Sequence, residues 1–308
     1  MKRRDFFKSI FGTYTAITSF FSFKYLSNKS NSTQQNNKLL TKINFKRRAT
    51  GVILEFPIVH HCNLNCAYCD HFASIAPVHK ISVKDFQNDV KKISKITNGE
   101  IKEIWILGGE PLLHDEIDKI FEIARKYFKN TNIKMLTNGL LLDKQKDAFW
   151  KSCKNNNIKI VVENYIYNKE KINFDVIKEK LRRFNCLLSF DSPKYQFRKM
   201  NLTKEKTHNI NHRYNKCQCK LWPILDNGKF YPCSVVNGVD KFFNKKFPDL
   251  AFPIAQKDVL NIHKINSMDE LLEFYETPKE MCAHCNYFLS EGEKWRLSKQ
   301  EASEWYQG

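Results

Sequence analysis

The sequence predicts an α/β fold, a partial (β/α)6 TIM-like barrel followed by a small cysteine-rich C-terminal domain. Three observations carry this expectation. From Gly51 to Phe190, short β-branched runs alternate with amphipathic helical patterns, the rhythm of a parallel sheet built from βα units. The first of these runs ends in a cysteine-rich loop, at the strand end where ligands gather in such sheets. The rhythm then stops near Lys206, where a second set of cysteines begins.

Residues 1–48 form a basic leader and linker. Lys2-Arg3-Arg4-Asp5-Phe6-Phe7-Lys8 with the apolar stretch Ile10 to Phe23 resembles a twin-arginine export signal. No small-x-small cleavage site follows it, and a stretch of this length is too short to span a bilayer. Twin-arginine-dependent export and a basic leader that lies on anionic lipid or stays disordered, with the body in the cytoplasm, both stand as readings. Residues 27–48 are rich in Asn, Ser, Gln and Lys and read as a linker.

Residues 49–205 are the expected barrel. Strands are predicted over 52–59, 103–107, 133–136, 159–162 and 186–190. Ser82 caps a helix that places Val83, Phe86, Val90, Ile93 and Ile96 on one face. Further helices are expected over 115–128, about 143–155 and 174–184. The pattern places no sixth strand. In residues 206–308, Asn227-Gly228 is a two-residue hairpin signal that brings Cys233 back beside Cys217 and Cys219. Ser267 with Glu270 caps a short helix before Cys282-Ala283-His284-Cys285.

The formal charge of +18 suggests a nucleic-acid partner, but 11 Lys and Arg against one acid lie in residues 1–48, leaving +8 for the other 260. No basic-aromatic strand pattern accompanies that charge, so no nucleic-acid partner is expected. Ten cysteines are too few for a disulfide scaffold, and eight stand in three clusters at ligand-like spacing, which points to metal binding. Cys153 and Cys186 read as structural thiols.

Cys62-x3-Cys66-x2-Cys69 can turn three sulfurs to one side of a tight loop. Three thiolates on a four-iron cluster would leave one iron open, and an open position is where chemistry happens. This segment, with Tyr68 before the third cysteine, resembles the radical SAM superfamily. Gly108-Gly109-Glu110-Pro111 after the second strand resembles that superfamily's GGEP motif, which contacts the amino group of S-adenosylmethionine (SAM). Asn138 in Thr137-Asn138-Gly139 also resembles the family. Glu163 stands where many relatives carry a serine, which leaves the contact to the SAM carboxylate and ribose unassigned. Arg198 has the fork geometry to bind a carboxylate.

Cys217, Cys219, Cys233, Cys282 and Cys285 resemble the auxiliary-cluster region known as SPASM or twitch. Five cysteines support one further cluster, ligated by Cys233, Cys282, Cys285 and either Cys217 or Cys219. A zinc site uses the same spacing and is the alternative. His284 reads as a spacer.

The resemblance covers residues 50–290 and implies a partial barrel, a 4Fe-4S cluster that binds SAM, a low-potential electron donor and a 5′-deoxyadenosyl radical. The activity expected from it is oxidation or rearrangement of a small polar metabolite or sugar derivative. A peptide- or protein-modifying enzyme is the alternative, and a non-catalytic iron-sulfur electron carrier is the rival from another class.

Overall fold

Strand β1 (Ile53–Val59) is buried along nearly its whole length because the sheet continues on both of its edges. The computed structural model describes residues 52–165, 170–192, 195–206, 209–287 and 292–308. The leader, its twin-arginine-like stretch and the linker lie outside them. No described helix is long and apolar enough to cross a membrane.

The chain runs from β1 through α1 (Val83–Thr97), β2 (Glu103–Gly108), α2 (Ile117–Tyr127), β3 (Asn132–Thr137), α3 (Asp147–Asn155), β4 (Ile158–Val162) and α4 (Phe174–Phe184) to β5 (Leu187–Phe190). Each strand pairs parallel with the previous one, as a βα series requires. Local chemistry sets the helix ends. Ser82 accepts from the Asp85 N–H at 3.0 Å, and Asn98 and Asn185 close α1 and α4 in the left-handed conformation. Helix α3 starts later than its apolar pattern suggests, because Gly139 to Lys146 is used for turns. Apolar faces of α1, α2 and α3 pack on the sheet in one core that includes Phe86, Ile120, Phe121, Trp150 and Ile160.

After β5 the chain leaves the βα pattern. Strand β6 (Gln196–Arg198) pairs antiparallel with β10 (Gly292–Lys294) outside the main sheet. Helix α5 (Ile210–Lys216) precedes the hairpin of β7 (Ile224–Asp226) and β8 (Lys229–Tyr231). Asn227 and Gly228 at its tip both have positive φ, 52° and 75°, as the turn type demands. Strand β7 pairs parallel with β1, Glu55 opposite Ile224, and so extends the barrel sheet on the edge away from β2. The sheet order is β5-β4-β3-β2-β1-β7-β8-β9, with β9 at Leu260–Asn261. The sixth parallel strand is therefore supplied by the hairpin. Helices α6 (Ser234–Gly238) and α7 (Met268–Glu276) complete this part, α7 with the capping box between Ser267 and Glu270. A second apolar cluster, with Phe72, Tyr231, Val236, Phe243 and Trp305, lies beneath the cysteine loop.

Candidate metal centre

The chain leaves β1 through His60 and His61 into the loop of Cys62, Cys66 and Cys69. Asn65, Tyr68 and Phe72 all take left-handed backbone, with φ of 54°, 60° and 54°. For an aromatic residue such a conformation is a true outlier and costs energy, so it persists only where surroundings enforce it. Its effect is to curl the loop until all three thiols line one cavity of about 410 Å³. None of the three is in a disulfide.

N–H groups already point at two of the sulfurs. Cys62 Sγ accepts from the Leu64 N–H at 3.4 Å and from Asn138 Nδ2 at 3.6 Å, and Cys66 Sγ accepts from Trp295 Nε1 at 3.1 Å. Burial pushes the Cys62 thiol up to about 11 and the Cys66 and Cys69 thiols up to about 12. Only a strongly cationic partner such as iron would hold them as thiolates.

Gly108 and Gly109 line the same cavity, and their glycine identity has a physical reason. A Cβ on Gly108, whose φ is +141°, would stand 2.0 Å from the Val59 carbonyl oxygen. One on Gly109 would stand 2.0 Å from the His61 carbonyl oxygen. The glycines thus let the end of β2 press against the stem of the cysteine loop, where the Gly109 N–H bonds Val59 O at 2.8 Å and the Glu110 N–H bonds His61 O at 3.1 Å.

Glu110 and Pro111 are buried but do not line the cavity. The Glu110 carboxylate is used inside the protein. It accepts from Thr137 Oγ1 at 2.7 Å, the Asn138 N–H at 2.9 Å and the Leu112 N–H at 3.0 Å. Burial outweighs these donors and raises Glu110 to about 7. The side chain that the sequence assigns to SAM is thus a brace between the ends of β2 and β3, and what faces the cavity is glycine backbone.

Asn138 lines the cavity and also shores the loop, since its Nδ2 donates to Asn63 Oδ1 at 2.8 Å. Glu163 reaches the cavity from the end of β4 and accepts from the Tyr165 hydroxyl at 2.6 Å. Arg198, on β6, lines the opposite side with its guanidinium over the Tyr287 ring at 5.9 Å. Tyr68 lies under the Arg296 guanidinium, 4.9 Å from ring centroid to Cζ, and its hydroxyl accepts from Arg296 at 3.2 Å. One cavity therefore joins Tyr68, Gly108, Gly109, Asn138, Glu163 and Arg198 to the three loop cysteines.

The C-terminal cysteines stand next to this cavity, and Cys219 opens onto it. The Cys217 and Cys219 thiols share a hydrogen bond. Cys217 is close enough to be among the charges acting on each of Cys233, Cys282 and Cys285. Burial pushes Cys282 up to about 12 and Cys285 up to about 11. Trp222 Nε1, on the cavity wall, is buried with no partner, an orphan donor that an acceptor in the cavity would satisfy. His284 Nδ1 is engaged with the Thr203 carbonyl at 2.9 Å. Among the described residues, no three His, Cys, Asp or Glu side chains converge on a single-ion site.

Two groups at the site escape the sequence reading, one in the cavity wall and one packed behind the loop. His71 Nε2 meets Glu55 Oε2 at 3.2 Å and His71 Nδ1 meets Asp70 Oδ1 at 3.1 Å. Burial alone would lower this imidazole, but the two carboxylates outweigh it and hold it well above its ordinary value. The other group is the segment from Trp295 to Trp305, which packs on the cysteine loop. Its aromatic and basic residues are visible in the sequence, yet no local periodicity points from residue 295 to residue 66.

The family model of the Radical SAM superfamily matches residues 56–165, from within β1 to just past β4. Residues 56–165 thus carry a radical SAM superfamily domain. The matched segment holds all three loop cysteines, Gly108, Gly109, Asn138 and Glu163. GTP 3′,8-cyclase of Aliarcobacter butzleri (strain RM4018) is 30% identical over 99 residues, 31% of this chain and 31% of that protein. The antilisterial bacteriocin subtilosin biosynthesis protein AlbA of Bacillus subtilis (strain 168) is 30% identical over 90 residues, 29% of this chain and 19% of that protein. The chain thus spans about a third or less of the length of these curated relatives. Among solved structures, BtrN in complex with AdoMet and 2-DOIA aligns with a TM-score of 0.46 at 16% identity, covering 76% of this chain and 92% of that one.

The superfamily implies a 4Fe-4S cluster that binds SAM, and the donor set here fits it. Three unpaired thiols share one cavity wall, N–H groups already reach two of the sulfurs, and glycine backbone lies alongside.

Proposed function

We propose that this radical SAM protein is an enzyme that reductively cleaves SAM and oxidises or rearranges a small polar substrate. The observation that carries the reading is the convergence of Cys62, Cys66 and Cys69 with Gly108, Gly109, Asn138 and Glu163 on a single cavity. When bound, the cluster supplies one electron that splits SAM into methionine and a 5′-deoxyadenosyl radical.

The protein's own residues bind, orient and shield. Cys62, Cys66 and Cys69 would hold the cluster by three thiolates, and SAM would bind it through its methionine amino and carboxylate groups. Backbone at Gly108 and Gly109 lines the place of the amino group. Glu163 is an acceptor for ribose hydroxyls, and Arg198 is a fork for a carboxylate. Tyr165 stacks on Phe197 at 5.5 Å beside the cavity, an apolar cover that keeps water from the radical.

A cavity of about 410 Å³ lies near the small end of ligand sites, and SAM would take much of it. A small metabolite is the first reading of the substrate. A peptide substrate is the second reading, favoured by the similarity to the subtilosin biosynthesis protein. The match to each relative covers about a third of this chain, so neither relative's substrate carries over.

The C-terminal cysteines are proposed to hold an auxiliary cluster through Cys233, Cys282, Cys285 and one of Cys217 or Cys219. Cys217 and Cys219 both lie close to Cys233 and Cys285, and Cys219 faces the cavity. Such a cluster would accept the substrate's electron, which makes an oxidation the expected outcome. The test is anaerobic reconstitution with iron and sulfide, followed by SAM and a strong reductant, with 5′-deoxyadenosine measured beside a Cys66→Ala control. Product from the wild type alone is expected. Absence of product from a protein shown spectroscopically to hold its loop cluster would overturn the enzymatic reading.

A further inference from the structure

Residues 295–305 grip the cysteine loop at the positions where its backbone is strained. The Ser298 N–H donates to the Asn65 carbonyl at 2.9 Å, and the Ala67 N–H donates to the Arg296 carbonyl at 3.0 Å, around a bridge between Cys66 and Leu297. Arg296 covers Tyr68 and ion-pairs at 2.7 Å with the fully buried Glu304. Trp305 donates its indole N–H to the Cys69 carbonyl at 2.9 Å and stacks on Phe72 at 5.3 Å. Asn65, Tyr68 and Phe72 are the three left-handed residues of the loop. Each is thus held from outside the loop, as strained backbone at a functional site must be.

Within this clamp one side chain reaches a sulfur. Trp295 Nε1 lies 3.1 Å from Cys66 Sγ, nearer than either N–H that approaches Cys62. Indole nitrogen is a donor only, so the direction of this bond is fixed. We propose that Trp295 is a positioning residue that acts through Cys66, donating its N–H to that ligand's thiolate and raising the reduction potential of the loop cluster. One-electron reduction adds negative charge that is shared with the thiolates. A fixed donor stabilises the more negative state more, and hydrogen bonds to cluster sulfurs are among the factors that set such potentials. The electron itself comes from the low-potential one-electron donor that the enzymatic reading requires, and the inference rests on that reading.

The experiment is a redox titration of the reconstituted holoenzyme followed by electron paramagnetic resonance, comparing wild type with Trp295→Phe. The loop-cluster signal is assigned by its absence from Cys66→Ala. At a fixed potential, the reduced-to-oxidised ratio in Trp295→Phe is expected to fall roughly tenfold, a midpoint about 59 mV more negative for a one-electron couple. An unchanged midpoint in a variant of wild-type iron content overturns the inference and leaves the enzymatic reading standing. Failure of the wild type to hold a loop cluster overturns that reading itself. Should Trp295→Phe lose its iron, wild-type protein carrying indole-¹⁵N tryptophan decides. A ¹⁵N coupling to the reduced loop cluster is expected, and its absence overturns the proposal.

Discussion

Replacing Asp226 by Asn removes one buried charge and almost none of its shape. Asp226 is 1% exposed and meets His60 Nε2 at 3.1 Å, Asn237 Nδ2 at 3.0 Å and Lys241 Nζ at 2.9 Å. Burial by itself would raise this carboxyl, but His60 and Lys241 outweigh it and hold it at about 2 instead of 3.8. At 1.36 kcal/mol per unit, that difference stabilises the fold by about 2 kcal/mol. Because the folded value is the lower one, the contribution is complete above pH 3.8 and is lost as pH falls through about 2. Asp226→Asn imitates the protonated acid at every pH. It should therefore be less stable than wild type by about 2 kcal/mol at neutral pH, with the gap narrowing below about pH 4 and closing near pH 2. Urea unfolding of the apo-protein, followed by tryptophan fluorescence at a series of pH values, measures this. A gap independent of pH, or one under about 0.5 kcal/mol at neutral pH, would refute the electrostatic account. His60 stands two residues before Cys62, so the reconstituted variant should also retain less iron.

Three further outcomes follow from contacts at the same site. Gly109→Ala forces a Cβ to 2.0 Å from a backbone oxygen and should cost more than about 4 kcal/mol or abolish soluble expression, so a wild-type melting temperature would contradict the packing account. Arg296→Met leaves buried Glu304 without its cation and should lower stability by about 1–3 kcal/mol, reduced from the fully buried range because Arg296 is partly exposed; thermal unfolding reads it. Of Cys217→Ser and Cys219→Ser, one should lose the iron of the auxiliary cluster while the other keeps it; iron analysis on a Cys66→Ala background reads which, and full retention by both would contradict a four-cysteine site.

What the sequence makes legible is what neighbouring residues decide. Ser82, Asn227-Gly228 and Ser267 each act within four residues, and the structure uses each as its type suggests. The loop cysteines and the two glycines are legible because their spacing is itself the chemistry. The missing sixth strand is not, since β7 earns its place by pairing with Glu55 from the far side of the chain rather than by following β5. Nor is the inward turn of Glu110, which depends on Thr137 and Asn138 arriving from the next strand. Trp295 is the plainest case, because a donor to Cys66 from 229 positions away leaves no mark on any local pattern.

The parallel pairing of β7 with β1 also limits how such a protein can be recombined. A barrel and a cysteine-rich tail joined only by a linker could be exchanged like cassettes between relatives. Here the tail contributes a wall of the barrel, with Ile224 in register with Glu55 and Asp226 seated on His60. A transplanted tail would have to bring a strand of matching register and an acid at its end. Chimeras cut between residues 205 and 206 should therefore assemble only when both conditions travel with the graft.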